Sequence, residues 1–215
     1  MGAKKGIRAE QKQRTRAALI ASALKMVADG RSFSSLSLRE VTRAAGVVPT
    51  AFYRHFPTMD ALGMAIVEEA LPELRTRMRE LRQDTSNMEE LLAASVNVFF
   101  EFVLHHAQEF LFFGREITGG SSILRNTLRL HTVRFSYDLA DDLARIGFAA
   151  HLNDQERFMV ADLLVRAVLT TSQDLLALRK NPEALEILRF RTAQQMRLVV
   201  LGMLNWSSKK LAVAS

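Results

Sequence analysis

Residues 36–56, Leu-Ser-Leu-Arg-Glu-Val-Thr-Arg-Ala-Ala-Gly-Val-Val-Pro-Thr-Ala-Phe-Tyr-Arg-His-Phe, read as two short helices broken by one glycine. This is the layout of a helix-turn-helix, whose second helix enters a DNA groove. Ser37 suits the N-cap of the first helix, and Glu40 three residues on completes a Ser-x-x-Glu capping box. Leu38, Val41 and Ala45 fall at i, i+3 and i+7 on one buried stripe. Gly46 fits the left-handed position that follows a helix C-terminus. Pro49 fits the first turn of a second helix, where a missing N–H costs no bond. That helix is expected to expose Thr50, Tyr53 and Arg54 and to turn Phe52 and Phe56 inward. Hydroxyls for phosphates and a guanidinium for phosphate or guanine are what a groove requires.

Charge is distributed to match. Residues 1–56 carry eleven Lys and Arg against three acidic residues, a net of +8, whereas residues 57–215 carry eighteen against twenty, a net of −2. A basic end around a helix-turn-helix is the electrostatic footprint of a nucleic-acid binder. Lys4, Lys5, Arg8, Lys12, Arg14 and Arg16 precede the motif and are expected to form a flexible basic arm toward phosphates or a minor groove.

The run from Leu36 to Val41, the Ala45-Gly46-Val47 step and the ending Phe52-Tyr53-Arg54-His55-Phe56 resemble the DNA-binding domain of the tetracycline-repressor (TetR) family over roughly residues 10–65. More narrowly, residues 31–41, Pro49-Thr-Ala-Phe-Tyr-Arg-His-Phe56 and Gly114-Arg-Glu-Ile-Thr-Gly119 resemble FabR/DesT-type repressors of fatty-acid desaturation and synthesis. One position departs from the family pattern: Met59 stands where lysine is common after the recognition helix.

A chain of 215 residues, 48% hydrophobic, holds a real core in one or two domains. The absence of cysteine excludes disulfides, thiolate metal sites and a cysteine nucleophile, and fits a reducing cytoplasm. No signal peptide or membrane span is expected, because charges interrupt even the most apolar stretch, residues 91–113.

Helical periods dominate, so the fold class is all-α, with about nine helices. They are expected over residues 8–29, the two helix-turn-helix segments, 58 to about 81, 88–105, 107–114, 121–147, 153–180 and 182–206. A charge shift near residue 57 divides a three-helix DNA-binding domain, 1–57, from a larger helical ligand-binding and dimerisation domain, 58–215. Residues 185–206 carry two apolar stripes, one through Leu185, Leu188, Thr192, Met196, Val199, Met203 and Trp206, the other through Ile187, Phe190, Gln194, Leu198, Leu201 and Leu204. Residues 158–178 repeat the excess. A helix with two apolar faces must bury both, so paired helices from two chains are expected to make a homodimer interface through Val168, Leu175, Met196, Val199 and Met203. A dimer places two recognition helices about one DNA turn apart, roughly 34–36 Å, and reads a palindromic operator.

Six of thirteen phenylalanines lie between residues 99 and 113. At helical spacing they form either plain core or the wall of an elongated apolar pocket. Phe99, Phe102, Phe110, Phe113 and Phe135 are the candidate walls, and Arg115, Glu116, His131, Arg134 and Tyr137 the candidate polar groups. The family resemblance implies the pocket without saying which of them touch the ligand. It also implies a long-chain acyl-CoA or other fatty acyl effector, a drug-like apolar molecule being the alternative. His105, His106 and His131 lack metal-ligand spacing, since adjacent helical residues point about 100° apart. Asp138, Asp141 and Asp142 share one helix face and are expected to be solvated. No nucleophile–base pair accompanies them, which argues against an acyl-handling enzyme; no catalytic residue, metal or cofactor is expected. Lys12, Ser37, Arg39, Pro49, Thr50, Tyr53, Arg54 and His55 make up the DNA-facing set, with Arg39 and Arg54 aimed at base edges.

Overall fold

The computed structural model of the chain describes residues 2–83 and 87–206, with side chains from residue 7 onward. Its helices are α1 (Gly2–Ala28), α2 (Leu38–Ala44), α3 (Pro49–Phe52), α4 (Met59–Gln83), α5 (Met88–His105), α6 (Ala107–Glu116), α7 (Ser122–Ile146), α8 (Asp154–Leu178) and α9 (Pro182–Leu204), with a one-turn 3-10 helix at Phe33–Ser35. There is no strand among the described residues. The all-α reading is correct, and the long helices after α1 fall within a few residues of their expected bounds.

Two compact units emerge. One comprises residues 1–74 and 103–131; the other comprises 75–102 and 132–215. In the first, Leu19, Ala23 and Val27 of α1 are buried, as are Val41 of α2, Phe52 of α3 and Leu62 and Ile66 of α4. Phe110 and Phe112 of α6 and Leu124 of α7 belong to the same core, where α1 packs against α6. Phe33, in the short 3-10 turn, meets Phe112 edge-on at 5.0 Å. The unit that carries the helix-turn-helix therefore takes in α6 and the start of α7 as well as the first seventy-four residues.

The first helix is longer than its apolar pattern. It begins at Gly2, so the segment expected to be a flexible arm is helical. Lys, Arg, Ala, Gln and Glu have high intrinsic helix propensity, which extends α1 without an apolar face. The side chains of Lys4 and Lys5 lie outside the described residues.

The second unit is built on α8 packed against α9. Asn153 accepts from Glu156 N at 3.0 Å while the Glu156 side chain accepts from Asn153 N, a capping box that starts α8. Asn181 caps α9 and Pro182 occupies its first turn. Val168, Leu175, Leu188, Met196 and Met203 are all under 10% exposed in the single chain.

That burial corrects the dimer expectation. Val168, Leu175, Met196 and Met203 already fill the intrachain core, and Val199 is half-buried. The face that remains open is the other stripe of α9: Ile187, Phe190, Leu198, Leu201 and Leu204 are 46–69% exposed. Met159 and Leu163 of α8 are open too, at 40% and 53%.

The carboxylate face of α7 also differs from expectation. Asp141 is exposed, but Asp138 and Asp142 pair with a row of arginines on α4. Arg75 Nε donates to Asp138 at 2.7 Å, Arg79 to its other oxygen at 2.9 Å, and buried Arg82 donates to buried Asp142 at 2.5 Å. Arginines at i, i+4 and i+7 on one helix meeting aspartates at i and i+4 on another make a ladder that a single-helix reading cannot show.

Candidate nucleic-acid interface

Ser37 sits at the N-cap of α2, where its hydroxyl accepts from Glu40 N at 3.3 Å and donates to Glu40 Oε2 at 2.7 Å. The expected capping box is present, and it occupies the hydroxyl of a residue expected to face DNA. Gly46 takes φ +67°, a conformation that side chains with a Cβ rarely adopt. Its N–H bonds Arg43 O at 3.2 Å and Val47 N bonds Thr42 O at 2.9 Å, the two bonds of a Schellman turn.

The second helix is one turn long. Pro49 opens it, Phe52 closes it, and the chain tightens through Arg54 N to Ala51 O at 3.2 Å and His55 N to Phe52 O at 2.8 Å. Its facing matches expectation: Phe52 and Phe56 are buried while Pro49, Thr50, Tyr53 and Arg54 are exposed. Arg39 and Lys12 are exposed as well. His55 is half-buried, with Nδ1 enclosed and lacking a hydrogen-bond partner. Burial holds its pKa below the usual histidine value, helped by the positive charges of Lys12, Arg16 and Arg54. That cause places four basic groups in one field, drawn from α1 and the recognition turn. Arg16 is used structurally: its guanidinium lies 5.3 Å from the centre of the Phe56 ring and pairs with Glu69.

One residue of this surface went unread in the sequence. Val48 is the N-cap of α3 and is 64% exposed. An apolar side chain there suits a thymine methyl. The signal was an apolar residue between the glycine turn and Pro49, where hydroxyls or amides are the usual caps.

The aromatic set divides. Phe110, Phe113, Arg115, Glu116 and His131 lie in the first unit; Phe99, Phe102, Arg134, Phe135 and Tyr137 lie in the second. All five phenylalanines are buried. Phe110 and Phe113 meet edge-on at 5.3 Å, and Phe113 lies 5.8 Å from Phe112. Arg134 and Tyr137 are exposed, and the Tyr137 ring stacks at a tilt on Phe158, 4.6 Å away. Arg115 and Glu116 are engaged elsewhere. Arg115 Nη1 donates to Val27 O and Arg31 O, and buried Glu116 accepts from Ser121 N at 3.4 Å. His131 stands apart: it is 1% exposed, its Nε2 lies 3.2 Å from the Glu68 carboxylate, and neither ring nitrogen makes a hydrogen bond of good geometry.

Among the described residues no group of three acidic or histidine side chains is placed to hold a metal, and no helix is long and apolar enough to cross a membrane. A polar cleft of about 260 Å³ between α8 and α9 is lined by Thr170, Thr171, Asp174, Arg191, Gln195 and Ala167.

Comparison with known proteins agrees with this geometry. Residues 19–66 match the family described as bacterial regulatory proteins, tetR family, and residues 88–201 match the tetracyclin repressor-like C-terminal domain. The chain is 35% identical over 197 residues to an HTH-type transcriptional regulator of Haemophilus influenzae, covering 92% of this chain and 94% of that protein. Its fold is similar to the fatty acid degradation regulator FadR of Bacillus halodurans, with a TM-score of 0.68 at 13% identity over 91% of this chain and 97% of that one. It is also similar to FadR of Bacillus subtilis in complex with stearoyl-CoA, with a TM-score of 0.66 at 13% identity over 88% and 97% of the two chains.

Proposed function

Because the chain belongs to the TetR family of bacterial transcriptional regulators, we propose that it is a homodimeric repressor of lipid and fatty-acid metabolism genes, with a DNA affinity set by a long-chain acyl thioester, in the manner of FabR/DesT-type repressors. Residues 1–57 supply the DNA-binding domain and 58–215 the ligand-binding and dimerisation domain; the work is regulatory, in the cytoplasm, and no residue is given a catalytic role. Arg39, Arg54 and Val48 read base edges, and Lys12, Thr50, Tyr53 and His55 hold phosphates. The second protomer covers the open stripe of α9 with the open side of α8, since apolar surface of this extent on one face asks for a partner.

The observation that carries the effector reading is His131. A buried imidazole whose Nδ1 has no partner and whose Nε2 faces only the Glu68 carboxylate at 3.2 Å, on a helix whose unit also buries Phe110, Phe112 and Phe113, offers an open polar atom to a ligand. A thioester carbonyl on an apolar chain supplies both halves of that environment. The stearoyl-CoA held by the Bacillus subtilis neighbour lends support, as a likeness of fold.

The test is DNA affinity, measured on duplex selected from a random pool by the protein itself, with and without stearoyl-CoA and oleoyl-CoA. A ligand that binds both conformations equally shifts nothing. The reading expects the dissociation constant to move several-fold with at least one of the two. A change below about twofold with both, less than the usual allosteric coupling, removes the acyl thioester as effector.

A further inference from the structure

The C-terminus of α1 closes in a Schellman turn: Gly30 N bonds Val27 O at 3.0 Å, Arg31 N bonds Met26 O at 3.1 Å, and Gly30 takes φ +104°. Carbonyls at such an end carry the negative pole of the helix dipole and attract cations. The cation here comes from the last turn of α6. Arg115 Nη1 donates to Val27 O at 2.7 Å and to Arg31 O at 2.8 Å, so one nitrogen bridges both ends of the turn.

Arg31 is thus fixed on its main chain from two sides, and its side chain faces the helix-turn-helix. Its Nη1 donates to Glu40 Oε1 at 2.8 Å and its Nη2 to Ser35 O at 3.3 Å. Glu40 uses its other oxygen for Ser37 N, at 2.9 Å, and for the Ser37 hydroxyl. Both oxygens are therefore committed. These bonds, first from Arg31 and then from Ser37, lower the Glu40 carboxyl to a pKa of about 2, so it stays ionised throughout the neutral range.

We propose that Arg115 and Arg31 are positioning residues of a relay running from α6 to the N-cap of α2: Arg115 holds the α1 end, and Arg31 hands that placement to Glu40 and Ser37. Movement of α6 then releases the capping box and loosens the helix that carries Arg39. An alternative route through the Phe33–Phe112 contact conveys apolar packing only; the relay conveys geometry to named hydrogen bonds. Its consequence for DNA rests on the regulatory reading above, but the relay itself does not.

Hydrogen exchange on the full-length protein without DNA tests it. Arg115→Met keeps the apolar stem and removes the donors. Loss of a hydrogen bond to a charged group is worth roughly tenfold or more in an opening equilibrium. The Glu40 and Val41 amides, which bond Ser37, should therefore exchange about tenfold faster while those of α9 hold their rates. Arg115→Lys, which keeps a cation and rotatable donors, should restore part of the protection, and it decides the matter if Arg115→Met does not fold. Faster exchange confined to residues 27–31, with Glu40 and Val41 unmoved, would overturn the relay. On DNA selected by the wild-type chain, Arg115→Met and Glu40→Gln should together cost no more than the larger single loss; additive losses contradict the relay. Should the wild-type chain select no DNA, the regulatory reading fails while the exchange rates still judge the relay.

Discussion

Met196 and Leu198 stand two residues apart on α9, yet Met196 is 6% exposed and Leu198 is 69% exposed. Two helical steps turn a side chain by about 200°, so the pair reports the two sides of one helix. The inner side belongs to the chain's own core. Fully burying an Ile, Leu or Phe contributes about 1.5–3 kcal/mol relative to exposure, and the outer side offers five such groups. Phe190→Glu with Leu198→Glu should give a folded protein, with unchanged helical circular dichroism, that sediments as a monomer and binds DNA weakly. Met203→Glu should unfold the chain instead, because Met203 is 2% exposed within the single chain. A double variant that remains dimeric would move the interface off this face.

Arg54→Ala should weaken binding to selected DNA more than to random DNA, since a guanidinium on a base edge discriminates by about 1–3 kcal/mol. Lys12→Ala should weaken both alike and reduce the salt slope by about one. Fluorescence anisotropy across a salt series measures both. Equal losses for Arg54→Ala on the two DNAs would remove its base-reading role.

The Arg82–Asp142 pair invites a stability cycle. Removing one partner of a buried pair leaves the other charge uncompensated, but Asp142 keeps Arg145 at 3.0 Å. Arg82→Ala should therefore cost part of the roughly 3–5 kcal/mol of a fully stranded charge, read in urea unfolding. Arg82→Met combined with Asp142→Leu should recover most of that loss. Recovery is the informative arm, because the double variant strands no charge. A double variant as unstable as the single would mean that the ladder stabilises by attraction.

Glu116 fixes a pH dependence. Burial raises its pKa above 4.5, partly opposed by the Ser121 N–H and the Arg125 charge, with Asp60 adding to the rise. A folded-state pKa raised above the unfolded value contributes stability below the unfolded value and loses it as pH rises through the folded one. Glu116→Gln removes that loss, so its stability relative to wild type should grow between pH 4 and pH 7. Thermal unfolding at the two pH values checks this; a constant or shrinking difference would mean that the carboxylate is paid for in the folded state.

Much of the fold was legible because its signals are local. The Ser37–Glu40 box, Gly46 and Pro49 each act within a few residues, and each is where the sequence placed it. What was not legible depends on partners far along the chain. Two apolar stripes on α9 are equivalent in sequence, and only the packing of α8 decides that Met196 goes in and Leu198 stays out. Asp138 and Asp142 looked solvated because their arginines lie some sixty residues earlier. Arg115 and Glu116 were assigned to a ligand, but their partners are the end of α1 and a neighbouring loop. The basic arm became helix because its composition, not its apolar period, favours one.

Sequence-specific binding by a symmetric dimer is the claim on which the other readings stand. Selection from a random duplex pool, followed by native mass spectrometry of the enriched DNA, tests it most directly. The result expected is a palindromic site with half-sites about one helical turn apart, roughly 34–36 Å, bound by two protomers. A pool with no enriched sequence, or a site without dyad symmetry held by one protomer, would contradict it.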